Sequence, residues 1–305
     1  PVTSLSRMPS SAWKKKMTKD YGKKRGIFDM SLEVEKGEIY GFVGVNGAGK
    51  TTTIRHMMGF LTPDEGTVTI NGLDANKSSA EVKRYVSYIP GEINFPGNST
   101  GEDFIKNQIY LSGRGDWEYA ENVIDQLQLD AKANVRAMSK GMKQKTAIVS
   151  AFASDADILI MDEPTTGLDP LMRDIFIELL KEEKAKGKTI FMSSHIFQEV
   201  EEVCDRVAII RDGMIIDVID MKDIRYNKMK TYKMEFKSIE DFEHFRSLGY
   251  DLHRVKVDDL QLNIMIHDQD INRLIQDLKN FNLVYFKEIK VTFEDYVTQV
   301  FKGEK

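Results

Sequence analysis

Hydrophobic positions along the chain follow a spacing of two in some segments and of three to four in others, so strands and helices are predicted to alternate. Residues 31–45 read as a strand, a turn and an apolar strand, and residues 51–59 have a helical pattern. Two more short apolar runs, at 157–164 and 188–195, are typical of strands buried on both faces of a parallel sheet. With helical patterns between them, these runs predict an α/β fold whose mostly parallel sheet is built by right-handed crossovers.

The pattern changes character twice more. Residues from about 92 to 153 show apolar positions at helical spacing, which indicates a helical subdomain. Beyond about residue 223 the order of patterns is strand, helix, strand, strand, helix, strand, which predicts a small ferredoxin-like α+β domain. The predicted division is a basic N-terminal segment (1–19), a main domain (20–222) and a small C-terminal domain (223–305).

The composition narrows the class of protein. Of 305 residues, 41% are hydrophobic and 30% charged, as in ordinary soluble globular proteins. The net charge of -5 argues against a dedicated nucleic-acid binder, so no nucleic-acid partner is expected. One cysteine, Cys204, excludes a disulfide framework and fits a reducing compartment. No segment approaches the roughly 20 apolar residues that cross a bilayer and no signal peptide is recognised, so any role at a membrane is expected from the cytoplasmic side through a partner.

Lysines and an arginine cluster within residues 14–25. Two interpretations stay open for this cluster: a solvated, frayed terminus, or a contact with anionic lipid headgroups.

Residues 44–52, GVNGAGKTT, carry the pattern G-x-x-x-x-G-K-[ST] between a predicted strand and a predicted helix. Glycines allow the backbone N–H groups to ring an anion, and the helix start adds its positive dipole end. Lys50 would reach the β- and γ-phosphates, Thr51 would offer its hydroxyl to Mg²⁺, and Thr52 would add a phosphate contact. The pattern predicts a nucleoside triphosphate with Mg²⁺, bound by Gly44, Asn46, Gly47, Ala48, Gly49, Lys50, Thr51 and Thr52.

Polar residues end two of the predicted buried strands. Asp162 and Glu163 follow the run ILIM, and His195 follows FMSS. Ligands bind at the carboxyl edge of open α/β sheets, so these side chains are predicted at the site. We expect Asp162 to hold Mg²⁺, Glu163 to take a proton from the attacking water, and His195 to contact the γ-phosphate.

These motifs together resemble the ABC ATPase family, and the segment 138–145, MSKGMKQK, is decisive. Its Ser139 and Gly141 are similar to the family signature, a helix start that binds the γ-phosphate held by the opposite subunit. TTGLDP resembles the family's D-loop, with Asp169 at the dimer seam. Tyr21 stands where the family places an aromatic that stacks on adenine.

The resemblance covers about residues 18–220 and implies a P-loop ABC ATPase core that binds and hydrolyses ATP. It further implies a homodimer or heterodimer of ATPase subunits and a separate membrane-spanning permease subunit that docks near residues 91–98. Residues 292–300, TFEDYVTQV, resemble the end of bacterial ABC-2-type exporter subunits. The expected place of work is therefore the cytoplasmic face of a bacterial plasma membrane, as a peripheral protein.

The sequence departs from the family at several positions. Gly91 stands where the family has a glutamine that touches Mg²⁺ and links to the membrane subunit, and Glu92 follows it. Lys140 and Met142 replace the usual glycine and glutamine of the signature. Two alternatives stay open: a soluble ABC ATPase that acts on ribosomes or DNA, and a weakly active regulatory ATPase subunit, which Gly91 would favour.

Overall fold

A computed structural model of the chain describes residues 11–97, 99–226, 228–290 and 292–302, with side chains from residue 16 onward. Contacts between Cα atoms divide the chain into two compact units, Pro1–Met221 and Lys222–Lys305. Among the described residues, no helix is both long enough and apolar enough to cross a membrane.

The first unit alternates strands and helices along most of its length. Its strands are β1 (Ser11–Asp20), β2 (Gly26–Met30), β3 (Glu33–Val34), β4 (Ile39–Val43), β5 (Glu65–Ile70), β6 (Leu73–Asp74), β7 (Val86–Ile89), β8 (Ile158–Asp162), β9 (Thr189–Ser194), β10 (Arg206–Arg211) and β11 (Met214–Asp220). Its helices are α1 (Lys50–Met57), α2 (Ser79–Val82), α3 (Gly101–Ser112), α4 (Trp117–Gln126), α5 (Lys140–Ala153), α6 (Pro170–Ala185) and α7 (Phe197–Val203), and α8 (Met221–Arg225) crosses the division between the units.

The predicted parallel sheet is confirmed. Its six strands lie in the order β11-β10-β4-β9-β8-β7, and every neighbouring pair except β10 with β11 is parallel. All residues of β4, β8 and β9 are buried, as expected of parallel strands that are covered on both faces. The carboxyl ends of β4, β8 and β9 therefore meet at one edge, where the polar residues predicted from the motifs follow each strand.

A second sheet of the first unit is antiparallel, with the order β2-β1-β5-β6 and with β3 paired to β1. A hairpin turn at Asn71-Gly72 joins β5 to β6, and both turn residues have positive φ as such a turn requires.

β1 forms the second half of the basic N-terminal segment (1–19), for which a frayed terminus was one of the two interpretations. Residues 1–10 of that segment lie outside the described residues, but Ser11–Asp20 form a strand paired with three others. The register with β5 shifts twice, between Ala12 and Lys15 and between Lys15 and Thr18. Such bulges break the two-residue alternation by which a strand is recognised in a sequence.

The predicted helical subdomain is present as α3, α4 and α5. The start of α3 is fixed by a capping box, in which the Thr100 hydroxyl accepts from the Asp103 N–H at 3.1 Å and the Asp103 carboxylate accepts from the Thr100 N–H at 3.1 Å. α5 is the central helix of the three, since nine of its residues are buried.

The second unit has the predicted ferredoxin-like topology. Its elements are β12 (Met229–Phe236), α9 (Ile239–Arg246), β13 (Asp251–Lys256), β14 (Gln261–His267), a 3-10 turn at Asp268–Asp270, α10 (Ile271–Leu278), β15 (Leu283–Ile289) and α11 (Phe293–Lys302). The four strands form one antiparallel sheet in the order β13-β14-β12-β15. This unit has its own hydrophobic core, which includes the buried phenylalanines Phe236, Phe242 and Phe245.

Candidate functional site

The phosphate loop joins β4 to α1, and its glycines are required by its shape. Gly47 and Gly49 have φ values of 84° and 110°, a left-handed backbone that side chains rarely adopt. A Cβ atom on Gly44 would lie 2.4 Å from the carbonyl oxygen of Ile210, and one on Gly49 would lie 2.9 Å from the Ile27 side chain. The loop is therefore packed closely against the neighbouring strands.

Lys50, the first residue of α1, is buried and turned back over the loop. Its ammonium donates to the carbonyl oxygen of Gly44 at 2.6 Å and lies 3.1 Å from Oε1 of Glu163. A buried ammonium needs such partners, because an unpaired charge away from water is costly. The contact joins the phosphate loop to the residue that follows β8.

Asp162 ends β8 with a carboxylate that is 1% exposed. Its Oδ2 accepts from the Thr51 hydroxyl at 2.7 Å and its Oδ1 from the Ser193 hydroxyl at 2.6 Å. The pairing of β8 with β9 sets Asp162 directly beside Ser193. In the part of the chain that the structure describes, Asp162 makes no ion pair, so this buried carboxylate has hydroxyl partners alone.

These oxygens suit Mg²⁺, which takes one or two carboxylate or hydroxyl ligands from protein and completes its shell with water and substrate phosphates. Gly91 adds room beside the carboxylate, since a Cβ atom there would come within 3.2 Å of Asp162 Oδ2. The donor set and the open side both fit the metal expected from the sequence.

Glu163 has a left-handed backbone, with φ of 52°. Its N–H holds this conformation by donating to the carbonyl oxygen of Ser193 at 3.2 Å and to its hydroxyl at 3.0 Å. In this conformation the Glu163 carboxylate contacts two side chains. The Lys50 ammonium lies beside Oε1, and Nδ1 of His195 lies 2.6 Å from Oε2. His195 is half-exposed after β9, so Glu163 connects the loop lysine to the surface of the site.

A cleft of about 560 Å³ opens over these groups. Of the residues predicted to bind nucleotide, it is lined by Tyr21, Asn46, Gly47, Gly49, Lys50, Thr51 and Thr52, together with Glu163. The Tyr21 ring is 52% exposed and so has a free face at the cleft. The phosphate loop, the Glu163 carboxylate and the Tyr21 ring are thereby brought to one opening.

Sequence reasoning missed three charged residues that line the same cleft: Lys24, Arg25 and Asp212. Lys24 and Arg25 belong to the basic cluster interpreted as a terminus or a lipid contact, and they follow β1. Asp212 lies in the turn between β10 and β11. Their position in the cleft depends on how strands distant in sequence come together, so no local signal marks them.

The cleft is not lined by three other residues predicted to bind nucleotide: Ser139, Gly141 and Asp169. These three lie close to one another at the starts of α5 and α6. Ser139 caps α5, and its hydroxyl accepts from the Met142 N–H at 3.2 Å. Asp169 caps α6 by accepting from the Met172 N–H at 3.0 Å. Between them, a Cβ atom on Gly141 would lie 2.8 Å from the carbonyl oxygen of Gly167, so the two segments pack directly.

Glu199 of α7 is buried, and sequence reasoning did not single it out either. Its Oε2 accepts from the Thr165 hydroxyl at 2.9 Å and from the Ser194 hydroxyl at 3.4 Å. Burial raises the pKa of Glu199, and the Thr165 hydrogen bond opposes that rise. Glu199 thus ties the loop after Glu163 to the end of β9, which carries His195.

A second cavity of the first unit, of about 460 Å³, lies beside the helical subdomain. We call it the docking groove and define it by its apolar lining residues Phe60, Tyr88, Ile93, Phe95, Phe104 and Leu111. Ile93 and Phe95 come from the segment expected to receive a partner, and the Phe95 ring packs edge-on against Phe104 with centroids 4.5 Å apart.

Known proteins resemble this chain in sequence and in fold. Residues 27–166 match a family described as ABC transporter. The chain is 38% identical over 198 residues to the ABC transporter ATP-binding protein NatA of Bacillus subtilis (strain 168), covering 63% of this chain and 80% of NatA. It is 34% identical over 253 residues to the bacitracin transport ATP-binding protein BcrA of Bacillus licheniformis, covering 78% of this chain and 80% of BcrA. A solved structure described as the ATP binding subunit of an ABC transporter has a TM-score of 0.64 at 31% identity, covering 71% of this chain and 92% of the other.

Proposed function

The chain belongs to the family of ABC transporter ATP-binding subunits, and from that membership we propose that it powers an exporter through a separate membrane-spanning permease subunit. As a member of that family it is an ATPase of the ABC type. The observation that supports ATP hydrolysis as the source of power is the contact of Glu163 with both Lys50 and His195 at the cleft. The domain division proposed from the sequence assigns this ATPase to residues 20–222, with 92–153 as its helical subdomain.

The proposed chemistry starts with ATP in the cleft, its adenine on Tyr21 and its phosphates in the loop at 44–52. Lys50 exchanges part of its contact with Glu163 for the β- and γ-phosphates, which frees the carboxylate to take a proton from an attacking water. His195, hydrogen-bonded to the same carboxylate, contacts the γ-phosphate and stabilises its developing charge.

We propose that Thr51 and Asp162 hold Mg²⁺. The metal, when bound, neutralises negative charge on the phosphate oxygens. Ser193 keeps Asp162 in place through its 2.6 Å hydrogen bond, and it also holds the Glu163 backbone. One serine thereby fixes the geometry of both acidic residues.

A second ATPase subunit, identical or homologous, is proposed to complete the site. Ser139 and Gly141 lie away from the cleft of their own chain and would reach the γ-phosphate held by the opposite subunit. The start of α5 suits this role because its N–H groups and dipole attract anions. Asp169, adjacent to that segment through Gly167, would lie at the seam between the two subunits.

The docking groove is the proposed contact for the permease subunit. Its aromatic and aliphatic side chains suit the apolar face of a partner's helix, and Lys83, Arg84 and Arg114 line the same cavity. Relatives include a bacitracin transport ATP-binding protein and a linearmycin resistance ATP-binding protein of Bacillus subtilis (strain 168), which favours export. On this proposal the chain works peripherally at the cytoplasmic face of a bacterial plasma membrane.

The test is to purify the tagged chain with Mg-ATP from membranes dissolved in mild detergent and to identify co-purifying polypeptides by mass spectrometry. A multi-spanning polypeptide in fixed ratio is the expected result. Recovery with ribosomal or DNA-bound proteins and no spanning partner would contradict the exporter proposal and favour a soluble ABC ATPase that acts on ribosomes or DNA. ATP turnover equal to that of a Lys50→Ala control would instead favour the weakly active regulatory subunit.

A Phe95→Asp variant tests the docking groove directly. A charge in place of the ring removes the contact with Phe104 and cannot be buried against an apolar partner. We expect the spanning polypeptide to be lost while basal ATP hydrolysis is kept. Tyr110→Asp is the matched control, because Tyr110 lies on α3 but is 83% exposed and outside the groove. Equal recovery of the partner with both variants would place the permease contact elsewhere.

A further inference from the structure

One face of the second unit's sheet carries a cavity with an unusual concentration of positive charge. We call this cavity, of about 260 Å³, the basic groove. Its lining residues are Lys233, Arg254, Lys256, Gln261, Asn263, Lys287 and Ile289. The phenylalanine core lies on the other face, because Met234 and Phe236 alternate with Lys233 along β12.

The strand register forces these cations together. Lys233 of β12 stands directly opposite Lys287 of β15 on one side and Asn263 of β14 on the other. Arg254 of β13 stands on the far side of Asn263. Like charges directly opposite each other on neighbouring strands are destabilising, so the pair Lys233 and Lys287 lowers the stability of the sheet.

Few ion pairs neutralise this row, and the one carboxylate beside it on the same strand, Glu235, accepts from the side-chain amide of Gln261 at 2.7 Å. In the portion of the chain that the structure describes, Lys233, Arg254 and Lys287 make no ion pair, and Lys256 alone pairs with an acid, Asp259 at 3.2 Å. Residues 222–305 as a whole contain as many acidic as basic residues. The positive charge of the groove therefore comes from the placement of side chains and not from an excess of basic residues.

We propose that the basic groove binds a compact, free phosphate-bearing anion with two or more negative charges. The planar guanidinium of Arg254 can hold two phosphate oxygens at once, and the two lysines add point charges. The side-chain amide of Asn263 supplies neutral donors, and that of Gln261 has one N–H left beside the N–H that it donates to Glu235. A volume of about 260 Å³ is at the lower end for ligand cavities and fits a small solute.

Two larger anionic partners fit less well. Single-stranded nucleic acid is held by aromatic rings that stack on its bases, but the ring beside the groove, Tyr285, already lies under Lys233 Nζ at 5.5 Å from its centroid. A lipid surface is met by exposed apolar side chains beside the basic ones. Among the described residues of this unit, none of the exposed large apolar side chains lines the groove.

The experiment is a calorimetric titration of the full chain with inorganic pyrophosphate at low ionic strength. The phosphate loop also binds such a probe, so two classes of site are expected in the unaltered chain. Lys50→Ala should weaken one class. Lys233→Gln with Lys287→Gln should weaken the other by about tenfold or more, since each lost contact is a charge-assisted hydrogen bond.

The matched control replaces two exposed lysines of the same unit, Lys237→Gln with Lys279→Gln, which lowers the charge equally and leaves the groove intact. The control should bind pyrophosphate as the unaltered chain does. The groove variant should keep basal ATP hydrolysis and should unfold at no lower temperature, because the repulsion between Lys233 and Lys287 is relieved.

Three results would overturn the proposal. One is a single class of site that disappears with Lys50→Ala. Another is equal loss of binding in the groove variant and its control, which would indicate nonspecific attraction. The third is no response to pyrophosphate together with groove-dependent binding of phosphatidylserine vesicles or of an oligonucleotide, which would assign the groove to a membrane or to nucleic acid.

Discussion

The backbone of Glu163 shows how the site uses a conformation that most residues avoid. A φ of 52° is uncommon outside glycine and costs on the order of 1–3 kcal/mol when the surroundings impose it. Two hydrogen bonds from its N–H to Ser193 supply the constraint. The result is a carboxylate that reaches Lys50 and His195 together, which an extended continuation of β8 would not allow.

Replacing Glu163 with glutamine should stop hydrolysis and spare ATP binding. The amide keeps the size of the side chain but cannot take a proton from water, so we expect phosphate release to fall by about two to four orders of magnitude. The ATP-bound chain should then accumulate as a dimer, measured by size-exclusion chromatography.

Glu182→Gln, at an exposed position of α6, is the control and should leave phosphate release unchanged. Full turnover by Glu163→Gln would transfer the role of general base to another residue. A variant that stays monomeric with ATP would contradict the proposed two-subunit site.

Gly91 offers a second test at the residue scale. Its added Cβ atom would lie 3.2 Å from Asp162 Oδ2, and Asp162 cannot easily retreat because two hydroxyls hold it in a buried position. We therefore expect Gly91→Ala to raise the Mg²⁺ concentration needed for half-maximal hydrolysis by about tenfold, as changes next to metal ligands do.

The measurement is a Mg²⁺ titration of ATP turnover, with Glu92→Ala as the control in the same loop. Glu92 is exposed, so its removal should not shift the titration. An unchanged Mg²⁺ dependence in Gly91→Ala would mean that the metal approaches Asp162 from another side.

Most of the site could be anticipated from local sequence, and the exceptions have a common reason. The phosphate loop, Asp162 and Glu163 lie in continuous motifs whose strand-loop context identifies them. Ser193 and Glu199 act through partners about 30 residues away in sequence, and Lys24 and Arg25 reach the cleft only because β1 joins a sheet. Side chains that depend on such distant pairing carry no local pattern.

At the scale of elements, α5 combines two roles at its first turn. Ser139 caps the helix, and nine buried residues behind it pack the helical subdomain. The same hydroxyl and the free N–H groups of this turn are proposed to meet a phosphate of the opposite subunit. Capping and anion binding use the same atoms, so a simple deletion cannot tell them apart.

Two substitutions of Ser139 separate these roles. Ser139→Ala should lower stability by about 1 kcal/mol through the lost cap and should also weaken ATP-driven dimerisation. Ser139→Asp restores a good cap but adds a negative charge toward the phosphate, so stability should return while dimerisation fails. Thermal unfolding and size-exclusion chromatography with ATP measure the two effects. Normal dimerisation of Ser139→Asp would show that no phosphate approaches this helix start.

The sequence predicts the strands that are buried on both faces. It does not predict the strands whose pairing is irregular. β8 and β9 are continuous apolar runs because both faces are covered, and the sequence alone indicates them. β1 pairs with three strands through shifted registers, so its alternation is broken and its residues resemble a charged terminus. β13 is half-exposed or exposed along its whole length, so its sequence has no buried face to mark it.

At the scale of the whole molecule, the two units have separate cores. The sheet core of the first unit gathers side chains from β1 to β10, including Phe42 and Phe191 with ring centroids 5.5 Å apart. The core of the second unit is built around Phe236 and Phe245, 5.3 Å apart. Compact units with their own cores are able to unfold separately.

The two tryptophans make this separation measurable. Both lie in the first unit, at positions 13 and 117, so tryptophan fluorescence follows that unit while circular dichroism follows both. Phe245→Ala should destabilise the second unit by about 3–5 kcal/mol, because the ring is fully buried against Phe236, Tyr250 and Phe281. We expect a low-denaturant transition in circular dichroism that fluorescence does not report, with ATP turnover retained. Phe176→Ala, fully buried in the first unit, should shift fluorescence instead. If Phe245→Ala moved both signals equally, the two units would unfold as one, and a ligand bound in the basic groove would then stabilise the ATPase as well.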